Sequence, residues 1–354
     1  MTRIFLIRHA ESEGNIYRRA NGHFNGLVTD RGYKQIEKLQ ERFEGKHFDA
    51  VYSSDLSRAC TTAMAISRPR ELPIQTSVML REVGMGVWED TAWGDIEYSD
   101  FEMNGHFSRD PVKWSVSGSE PYENVKARMY NFITETAKLH EGETIVFFSH
   151  GFAIRSLLCL LKGIPSNETS KMPYCDNTAV TVLIYDGELR LESHSDNSHL
   201  SKELSTLAHQ TWWRTEKSAT TENLRYMPLN EVCGADSLRI FQEKAGDRAC
   251  VDKQYTAFLV DNPVGILGLD TKKNSKAGIG WLSYIHIIPV RRNNGYGTQL
   301  LGMAISDFRK LRREKLRIEV PSGSPGINFL SRHGFSVLDD SDNICLMEKY
   351  IRNW

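Results

Sequence analysis

Short apolar runs that end in polar turns dominate the first half of the chain. Three of them lie at Arg3–Ile7, Asp49–Ser53 and Ile145–Phe148. Runs of this length are typical of strands that are buried on both faces of a parallel sheet. The amphipathic stretches after these runs, which predict helices, are Gly32–Phe43, Arg58–Ile66 and Gly151–Leu161. Strands and helices that alternate in this way predict a three-layer α/β fold with right-handed crossovers.

The sequence predicts β-hairpins at the end of the first half of the chain and in the second half. Alternating residues on both sides of a turn at Asp186 predict a hairpin that closes the first half. A second hairpin around Asn262, and a long strand at Trp281–Ile288 followed by a helix from Thr298, predict a mixed α+β sheet in the second half. The other elements predicted there are strands at Leu224–Met227 and Leu316–Val320 and a helix at Ala235–Gly246.

A polar connector rich in Ser, Thr, Asn and Lys separates the two patterns. A chain of 354 residues is also too long for one ordinary core, since domains average roughly 150 residues. We therefore predict a first domain at 1–193, the connector at 194–223 and a second domain at 224–354.

The charge of the chain argues against several classes of partner. Lys and Arg total 44 against 45 Asp and Glu, so no global field attracts nucleic acid or a membrane surface. The basic stretch Arg309–Arg317 is interrupted by apolar and acidic residues, which is typical of a solvated helix face. No uncharged run approaches the ~20 residues of a membrane helix, and the first strand follows Met1 without room for a signal peptide.

Six cysteines are spread along the chain without Cys-x-x-Cys pairs and without zinc-type spacing. This usage predicts reduced thiols, a cytoplasmic protein and no bound metal. The pattern carries no signal for an oligomeric state.

Polar residues with catalytic potential follow the predicted strands. Arg8 and His9 come after the first run, and His150 comes after the third. Arg58 lies shortly after the second. Ligands of open α/β sheets bind beyond the carboxyl ends of parallel strands, so these side chains are expected to converge. Arginine donates charge-assisted hydrogen bonds to phosphate. Neutral imidazole is a nucleophile at cellular pH. The helix start at Gly151 offers backbone N–H groups to an anion. Together they predict a site for a phosphoryl group.

Breakdown of a phosphate ester also needs a group that protonates the departing alkoxide. Glu82, in a loop after a predicted strand at Ile74, is the candidate proton donor. A loop carboxylate taken alone is more often simply solvated, so the case for Glu82 depends on the residues around it.

These residues occur in four separated motifs. The motifs are Leu6-Ile7-Arg8-His9-Ala10-Glu11-Ser12 with Asn15, Ser53-Ser54-Asp55-Leu56-Ser57-Arg58-Ala59, Leu80-Arg81-Glu82 followed by Gly86, Trp88 and Glu89, and Ser149-His150-Gly151. Their order resembles that of the histidine phosphatase superfamily, also called phosphoglycerate mutase-like. The resemblance implies that His9 becomes transiently phosphorylated and that Glu82 donates a proton.

The same resemblance implies how the phosphoryl group is held. Arg8, Arg58 and His150 would clamp it, and Asn15 would line the same pocket. No metal or other cofactor would be needed, because cationic side chains take the place of a magnesium ion.

The superfamily divides into phosphatases and mutases. The stretch from Glu82 to His150 is shorter than the insertion that the resemblance implies for a mutase, which favours hydrolysis. A phosphomutase and a protein phosphatase are the alternatives. Residues Tyr98–Tyr122 are expected to cap the pocket, although their aromatic residues are more often core than substrate contacts.

A glycine turn follows the long strand of the second half. In Arg292-x-x-Gly295-x-Gly297, the glycines let a pyrophosphate approach the backbone N–H groups of a helix start. Such a turn also occurs as an ordinary helix start. Together with its flanking strand and helix and the run Ile327–Phe335, however, it makes the segment Leu224–Tyr350 resemble the GNAT acyltransferases.

This second resemblance implies that acetyl-CoA binds along the turn and that a splayed strand pair holds its pantetheine arm. The residues expected to contact the cofactor are Ile287, Ile288, Arg292, Asn293, Gly295, Tyr296, Gly297 and Thr298. The acetyl group would pass directly from the thioester to an amine.

Leu330 departs from the GNAT pattern, because it takes the place of the tyrosine that protonates the leaving thiolate. Ser331 is one replacement for that proton donor. The candidate general bases are Tyr284, His286 and Glu319.

The sequence thus predicts a bifunctional enzyme that hydrolyses a small phosphate ester and acetylates the amine of a small metabolite. Two steps on one metabolite would explain the fusion. In the alternative, the second domain binds acyl-CoA as a regulatory module without transferring the acyl group.

Overall fold

The computed structural model describes residues 1–210, 222–231 and 251–353. Contacts between Cα atoms divide the chain into two compact units. The first comprises Met1–Asn15, Ala20–Thr91 and the described residues of 99–217, and the second comprises Ile16–Arg19, Ala92–Tyr98 and the described residues of 218–354. The domain boundaries drawn from the sequence at 193 and 224 stay a prediction.

The first unit is built on a six-stranded sheet. Its strands are β1 (Thr2–Arg8), β2 (Ala50–Ser53), β3 (Ile74–Thr76), β4 (Thr144–Ser149), β5 (Val180–Tyr185) and β6 (Leu189–Asp196). They lie in the order β3-β2-β4-β1-β5-β6, with β1 to β4 parallel, β5 antiparallel to β1, and β6 antiparallel to β5. The carboxyl ends of β1, β2 and β4 therefore meet at one edge.

The helices that precede residue 162 are α1 (Glu13–Tyr17), α2 (Asp30–Arg42), α3 (Ser57–Arg70), α4 (Trp93–Ser99), α5 (Phe101–Arg109), α6 (Tyr122–Leu139) and α7 (Gly151–Leu161). The side chain of Thr29 caps α2 by accepting the backbone N–H of Gly32 at 3.0 Å. Three aromatic rings, those of Phe5, Phe43 and Phe48, pack edge to face at 5.3–5.5 Å and join β1 to the end of α2.

Register places the tip of β1 beside the tip of β4. Arg8 lies opposite Ser149, and the backbone N–H of His9 donates to the Ser149 carbonyl at 2.9 Å. Ile4, Leu6 and Ile7 are fully buried, as expected for a strand covered on both faces.

The second unit contains a seven-stranded mixed sheet. Its strands are β7 (Arg225–Pro228), β8 (Lys253–Leu259), β9 (Asn262–Asp270), β10 (Ile279–Ile287), β11 (Lys315–Pro321), β12 (Ser336–Ser341) and β13 (Ile344–Tyr350), in the order β12-β13-β11-β10-β9-β8-β7. Helices α8 (Tyr296–Lys310) and α9 (Pro325–Ser331) accompany it. The apolar face of α8, including Leu300, Leu301 and Phe308, is buried in the core of this unit.

The predicted fold class, an α/β sheet followed by a mixed α+β sheet, is confirmed. Three local features differ from the prediction. The polar loop after β1 contains the short helix α1, the stretch between β3 and β4 contains the helices α4, α5 and α6, and the β12–β13 hairpin was not foreseen. The helix predicted at 235–246 lies outside the described residues. Within the described ranges, no helix is long and apolar enough to cross a membrane.

Candidate active site

His9 lies directly after β1 and is only 3% exposed. Its Nδ1 is 2.7 Å from the carbonyl oxygen of Ala10, and because a carbonyl only accepts, Nδ1 carries the proton and donates it. The lone pair of the neutral ring is therefore on Nε2. Burial, reinforced by the charges of Arg58 and Arg8, holds the pKa of His9 well below its usual value. The ring is neutral at pH 7 and suited to act as a nucleophile.

His150 lies beside His9, with 5.0 Å between the two ring centroids. The hydroxyl of Ser54 accepts the N–H of Leu56 at 3.3 Å, and its oxygen is hydrogen-bonded to Nε2 of His150 at 2.8 Å. Nδ1 of His150 is buried and has no hydrogen-bond partner among the described residues, and in the tautomer whose Nε2 accepts the Ser54 proton it is a donor. Burial and the Arg58 charge lower the pKa of His150, so this ring is also neutral.

The two arginines each leave one buried donor unused. Arg58 is 1% exposed and donates Nη1 to the carbonyl of Phe24 and Nη2 to that of Gly22, both at 2.8 Å. Arg8 donates Nη1 to the Cys175 carbonyl at 2.6 Å. The Nε atoms of both have no hydrogen-bond partner in the described part of the chain. Burial lowers the pKa of Arg58 to about 10, which leaves it charged at neutral pH.

Gly151 explains how Arg8 fits against helix α7. A Cβ atom at position 151 would lie 3.2 Å from Nε and 3.3 Å from Cζ of Arg8. Glycine at the start of this helix therefore leaves room for the guanidinium group.

Glu82 lies at the N-terminus of α7. Its carboxylate accepts the backbone N–H groups of Phe152 at 3.1 Å, Ala153 at 2.9 Å and Val83 at 3.0 Å. The amides of Phe152 and Ala153 are therefore taken up by Glu82, and a contact between Gly151 and a phosphoryl group stays a prediction. The physical reason is that a carboxylate satisfies the orphan donors of a helix start as an anionic ligand does.

Asn15 uses its side-chain oxygen locally. It accepts the backbone N–H of Ser12 at 2.9 Å and the Ser12 hydroxyl at 3.2 Å. The structure therefore places Asn15 within α1, where it caps the start of that helix through Ser12.

Two residues that the sequence analysis did not assign to the site support it. The Ser54 hydroxyl is hydrogen-bonded to Nε2 of His150 and holds the orientation of that ring. Asn177 donates Nδ2 to the carbonyl of His9 at 2.8 Å and thereby holds the main chain of His9. Their positions at strand ends could have indicated this role from the sequence. Ser54 directly follows β2, and Asn177 precedes β5.

The glycine turn of the second unit leaves room for a pyrophosphate group. Gly295 has φ +79° and caps α8 with no side chain, and a Cβ atom there would meet nothing within 4 Å. Open space thus faces a helix start whose amides no side chain caps, which fits a pyrophosphate. Arg292 anchors the turn by donating Nε to the Ile287 carbonyl at 3.0 Å. The neighbouring Asn293 has φ +62°.

Other predicted cofactor residues surround this turn. The backbone N–H of Ile288 donates to the Val264 carbonyl at 3.0 Å, and Tyr296 is buried at the first position of α8. The face of Gly297 lies against the ring of Phe329 in α9. The hydroxyl of Thr298 donates to Nε2 of His333 at 2.9 Å, because Nδ1 of that ring donates to the Phe329 carbonyl.

The central strands of the second unit splay apart. β10 and β11 pair in parallel only from Ile279–Lys315 to Trp281–Arg317, after which their pairing ends. A gap between strands is the feature expected to hold the pantetheine arm. Leu330 is 1% exposed within the hydrophobic core, so no proton donor occupies that position.

The candidate bases of the second unit differ in their surroundings. Burial raises the pKa of Tyr284, which keeps its hydroxyl protonated at neutral pH. Glu319 lies 3.5 Å from the ammonium group of Lys273 in an exposed pair. His286 is half-buried on β10.

Two family models match separate parts of the chain. The family model of the histidine phosphatase superfamily (branch 1) matches residues 4–197, and that of the acetyltransferase (GNAT) family matches residues 212–335.

Individual relatives match the first half. Phosphoserine phosphatase 1 of Hydrogenobacter thermophilus is 29% identical over 183 residues, which cover 52% of this chain and 86% of that protein. Adenosylcobalamin/alpha-ribazole phosphatase of Escherichia coli is 30% identical and covers 46% of this chain and 81% of its own length. The solved structure of YhfR from Bacillus stearothermophilus aligns with a TM-score of 0.55 and 29% identity over 57% of this chain and 100% of that chain.

The convergence of His9, Arg8, Arg58 and His150 at one sheet edge, and a family match that spans more than half of the chain, lead to one conclusion. The chain belongs to the histidine phosphatase superfamily, branch 1, and carries a GNAT acetyltransferase domain in its second half.

Proposed function

We propose that the first unit is a phosphomonoesterase that works through a phosphohistidine at His9 and without a metal ion. One observation carries the proposal: three buried nitrogen atoms, Nε of Arg8, Nε of Arg58 and Nδ1 of His150, have no hydrogen-bond partner in the described residues. Buried donors are almost always satisfied, so an unfilled set beside a neutral histidine fits the oxygen atoms of a phosphoryl group.

In the first step, the Nε2 lone pair of His9 attacks phosphorus as the ester P–O bond breaks. The leaving oxygen takes the proton of the Glu82 carboxyl group and departs as an alcohol. The carbonyl of Ala10 holds the Nδ1 proton throughout and keeps the ring in its attacking orientation. Arg8 and Arg58 stabilise the charge on the phosphoryl oxygens.

In the second step, water attacks the phosphohistidine. Its proton passes to the Glu82 carboxylate, the P–N bond breaks with its electron pair returning to Nε2, and orthophosphate leaves. Both residues return to their starting states, so the cycle needs no further reactant.

For the substrate, we propose a small phosphate ester. Two relatives are named as phosphatases of phosphoserine and of α-ribazole phosphate or its adenosylcobalamin counterpart, and such esters form the core of a test panel. Free thiols at Cys60, Cys159, Cys175 and Cys345 fit the reducing conditions of the cytoplasm, where such metabolites occur.

A panel of phosphometabolites tests the proposal by measuring released phosphate for wild type and His9→Ala. We expect release from at least one small ester and a loss of at least about 10³-fold in the variant. Isomerised phosphate esters without net release would support a phosphomutase, and activity on phosphopeptides alone would support a protein phosphatase. Equal rates for wild type and His9→Ala would contradict the proposed chemistry.

For the second unit, we propose binding of acetyl-CoA and transfer of its acetyl group to an amine of a small metabolite. The first turn of α8 and Arg292 would bind the pyrophosphate, and the gap between β10 and β11 would hold the pantetheine arm. When bound, acetyl-CoA supplies an activated thioester. Ser331, next to the buried Leu330, is the proposed proton donor to the thiolate.

The buried Leu330 also favours a second candidate, in which this unit binds acyl-CoA as a regulatory module. Calorimetry with CoA and acetylation assays over an amine panel separate the two. Binding with transfer supports the acetyltransferase, binding without transfer supports the regulatory module, and absence of binding contradicts both. Acetylation of the alcohol released by the first unit would show that both units act on one metabolite.

A further inference from the structure

Arg128, on helix α6, directs its whole guanidinium group at the loop that carries Glu82. A guanidinium group has five N–H donors, and all five are used. They go from Nε and Nη2 to the Glu120 carboxylate (2.7 and 2.9 Å), from Nη1 to the carbonyls of Met79 and Arg81 (2.7 Å each) and from Nη2 to the carbonyl of Glu82 (3.0 Å).

Glu120 extends this arrangement on the other side of the loop. Its carboxylate also accepts the backbone N–H of Gly84 at 3.3 Å. The Arg128 and Glu120 side chains are 13% and 20% exposed, so water competes little with their bidentate pair. The pair therefore brackets the loop immediately before and after Glu82.

The main chain of Glu82 has a second anchor. Its carbonyl accepts Nε2 of His23 at 2.9 Å in addition to Nη2 of Arg128. The carboxylate of the same residue is held by the first amides of α7, next to His150. Arg128 thus fixes the backbone from which the proposed proton donor projects.

We propose that Arg128 is a positioning residue for the proton donor Glu82, with Glu120 as its partner. The proposal rests on the function proposed above for Glu82. Proton transfer depends on geometry at the level of about 1 Å, so a loop that drifts loses the transfer, whereas His9 keeps its own hydrogen bond to the Ala10 carbonyl.

Dependence on the leaving group separates positioning from a purely structural role. p-Nitrophenyl phosphate releases a stable phenolate that needs no proton, whereas phosphoserine releases an alkoxide that does. We expect Arg128→Met to lower kcat/KM for phosphoserine by roughly 10- to 100-fold and for p-nitrophenyl phosphate by less than about threefold. We expect Arg128→Lys to recover little, because an ammonium group cannot make the five directed bonds.

The matched control is Arg70→Met. Arg70 also donates to main-chain carbonyls, those of Phe43, Lys46 and Ile66, but it does so near the start of β2, away from the site edge. This variant should leave the ratio of the two kcat/KM values unchanged. Glu120→Gln tests the positioning role if Arg128→Met does not fold. We expect it to show the same dependence on the leaving group in weaker form.

Glu82→Gln, assayed with the same two substrates, separates the failure of this inference from the failure of the proposed function. If Glu82→Gln shows the leaving-group dependence and the Arg128 variants lose both activities equally, the positioning role is overturned and Glu82 remains the donor. If Glu82→Gln shows no such dependence, another group donates the proton, and the positioning role falls with it.

Discussion

His9 combines a buried ring with two neighbouring guanidinium groups, and both features disfavour its protonated form. The attacking nitrogen must be unprotonated, so acid abolishes activity only when the pH falls through the folded pKa of His9. That pKa is well below 6.5. We expect kcat/KM for p-nitrophenyl phosphate to stay on its plateau through pH 6.5 and to decline only at clearly lower pH. A midpoint at or above 6.5 in a pH–rate profile would contradict this environment for His9.

Gly151 provides a second prediction at the residue scale. In Gly151→Ala, the new Cβ would crowd Nε and Cζ of Arg8 and shift the guanidinium group by a few tenths of an ångström. We expect kcat/KM to fall roughly tenfold while the fold is retained. Gly105→Ala is the control, because a Cβ in that helix meets nothing within 4 Å and should stabilise the helix by about 0.5–1 kcal/mol. Unchanged activity in Gly151→Ala would mean that Arg8 does not hold the phosphoryl group.

Helix α2 is fixed to the tip of β1 through Glu11. The buried carboxylate accepts the hydroxyl of Thr29 at 2.6 Å, Nε of Arg31 at 2.8 Å and the hydroxyl of Thr206 at 3.0 Å. Its backbone N–H also donates to the side chain of Gln35 at 2.8 Å. One acidic residue two positions after His9 therefore organises three separate segments around the site.

Replacing Glu11 tests how much its hydrogen bonds to α2 and Thr206 contribute to the free energy of unfolding. Glu11→Ala leaves the Arg31 charge and two hydroxyls without their acceptor, which should cost about 3 kcal/mol in the free energy of unfolding. Urea denaturation measures the change. The control Lys38→Ala removes an exposed pair with Glu41 on the same helix and should cost less than about 0.5 kcal/mol. Similar losses in both variants would contradict a specific role for Glu11.

The elements that end in the site were predictable because their signals are local. A short apolar run followed by Arg8-His9, and another followed by Ser149-His150, identify strand ends, and parallel strands bring such ends together. The β12–β13 hairpin lacked a comparable signal. All residues of Ser336–Ser341 are exposed, so no alternation between buried and solvated positions marks the strand.

Contacts between side chains of different elements could not be predicted from local signals in the sequence. Arg128 lies 46 positions from Glu82, and an arginine on an amphipathic helix is indistinguishable in sequence from a solvated one. The capping of α7 by Glu82 is equally non-local, so the sequence could not show that Glu82 takes two of the amides of this helix start. Sequence patterns locate strand ends, but the partners of each polar group depend on the folded geometry.

At the scale of the whole molecule, the two candidate sites draw their residues from different units. Gly295→Val should therefore affect only one of them. A β-branched residue at φ +79° is strained and closes the space in front of α8, so we expect the affinity for CoA to fall at least about tenfold. Calorimetry with CoA measures this, and phosphate release should stay within about twofold of wild type. His9→Ala should show the reverse pattern, and loss of both activities in either variant would contradict separate sites.

The central claim is that His9 carries the phosphoryl group during turnover. Wild type, His9→Ala and Glu82→Gln are mixed with a ³²P-labelled substrate and quenched in alkali, because phosphohistidine survives base and is lost in acid. With p-nitrophenyl phosphate as the labelled substrate, whose leaving group needs no proton, we predict an alkali-stable, acid-labile label on wild type, a longer-lived label on Glu82→Gln, in which water is no longer activated, and none on His9→Ala. Active wild type that never becomes labelled, or a label that persists in His9→Ala, would contradict the account.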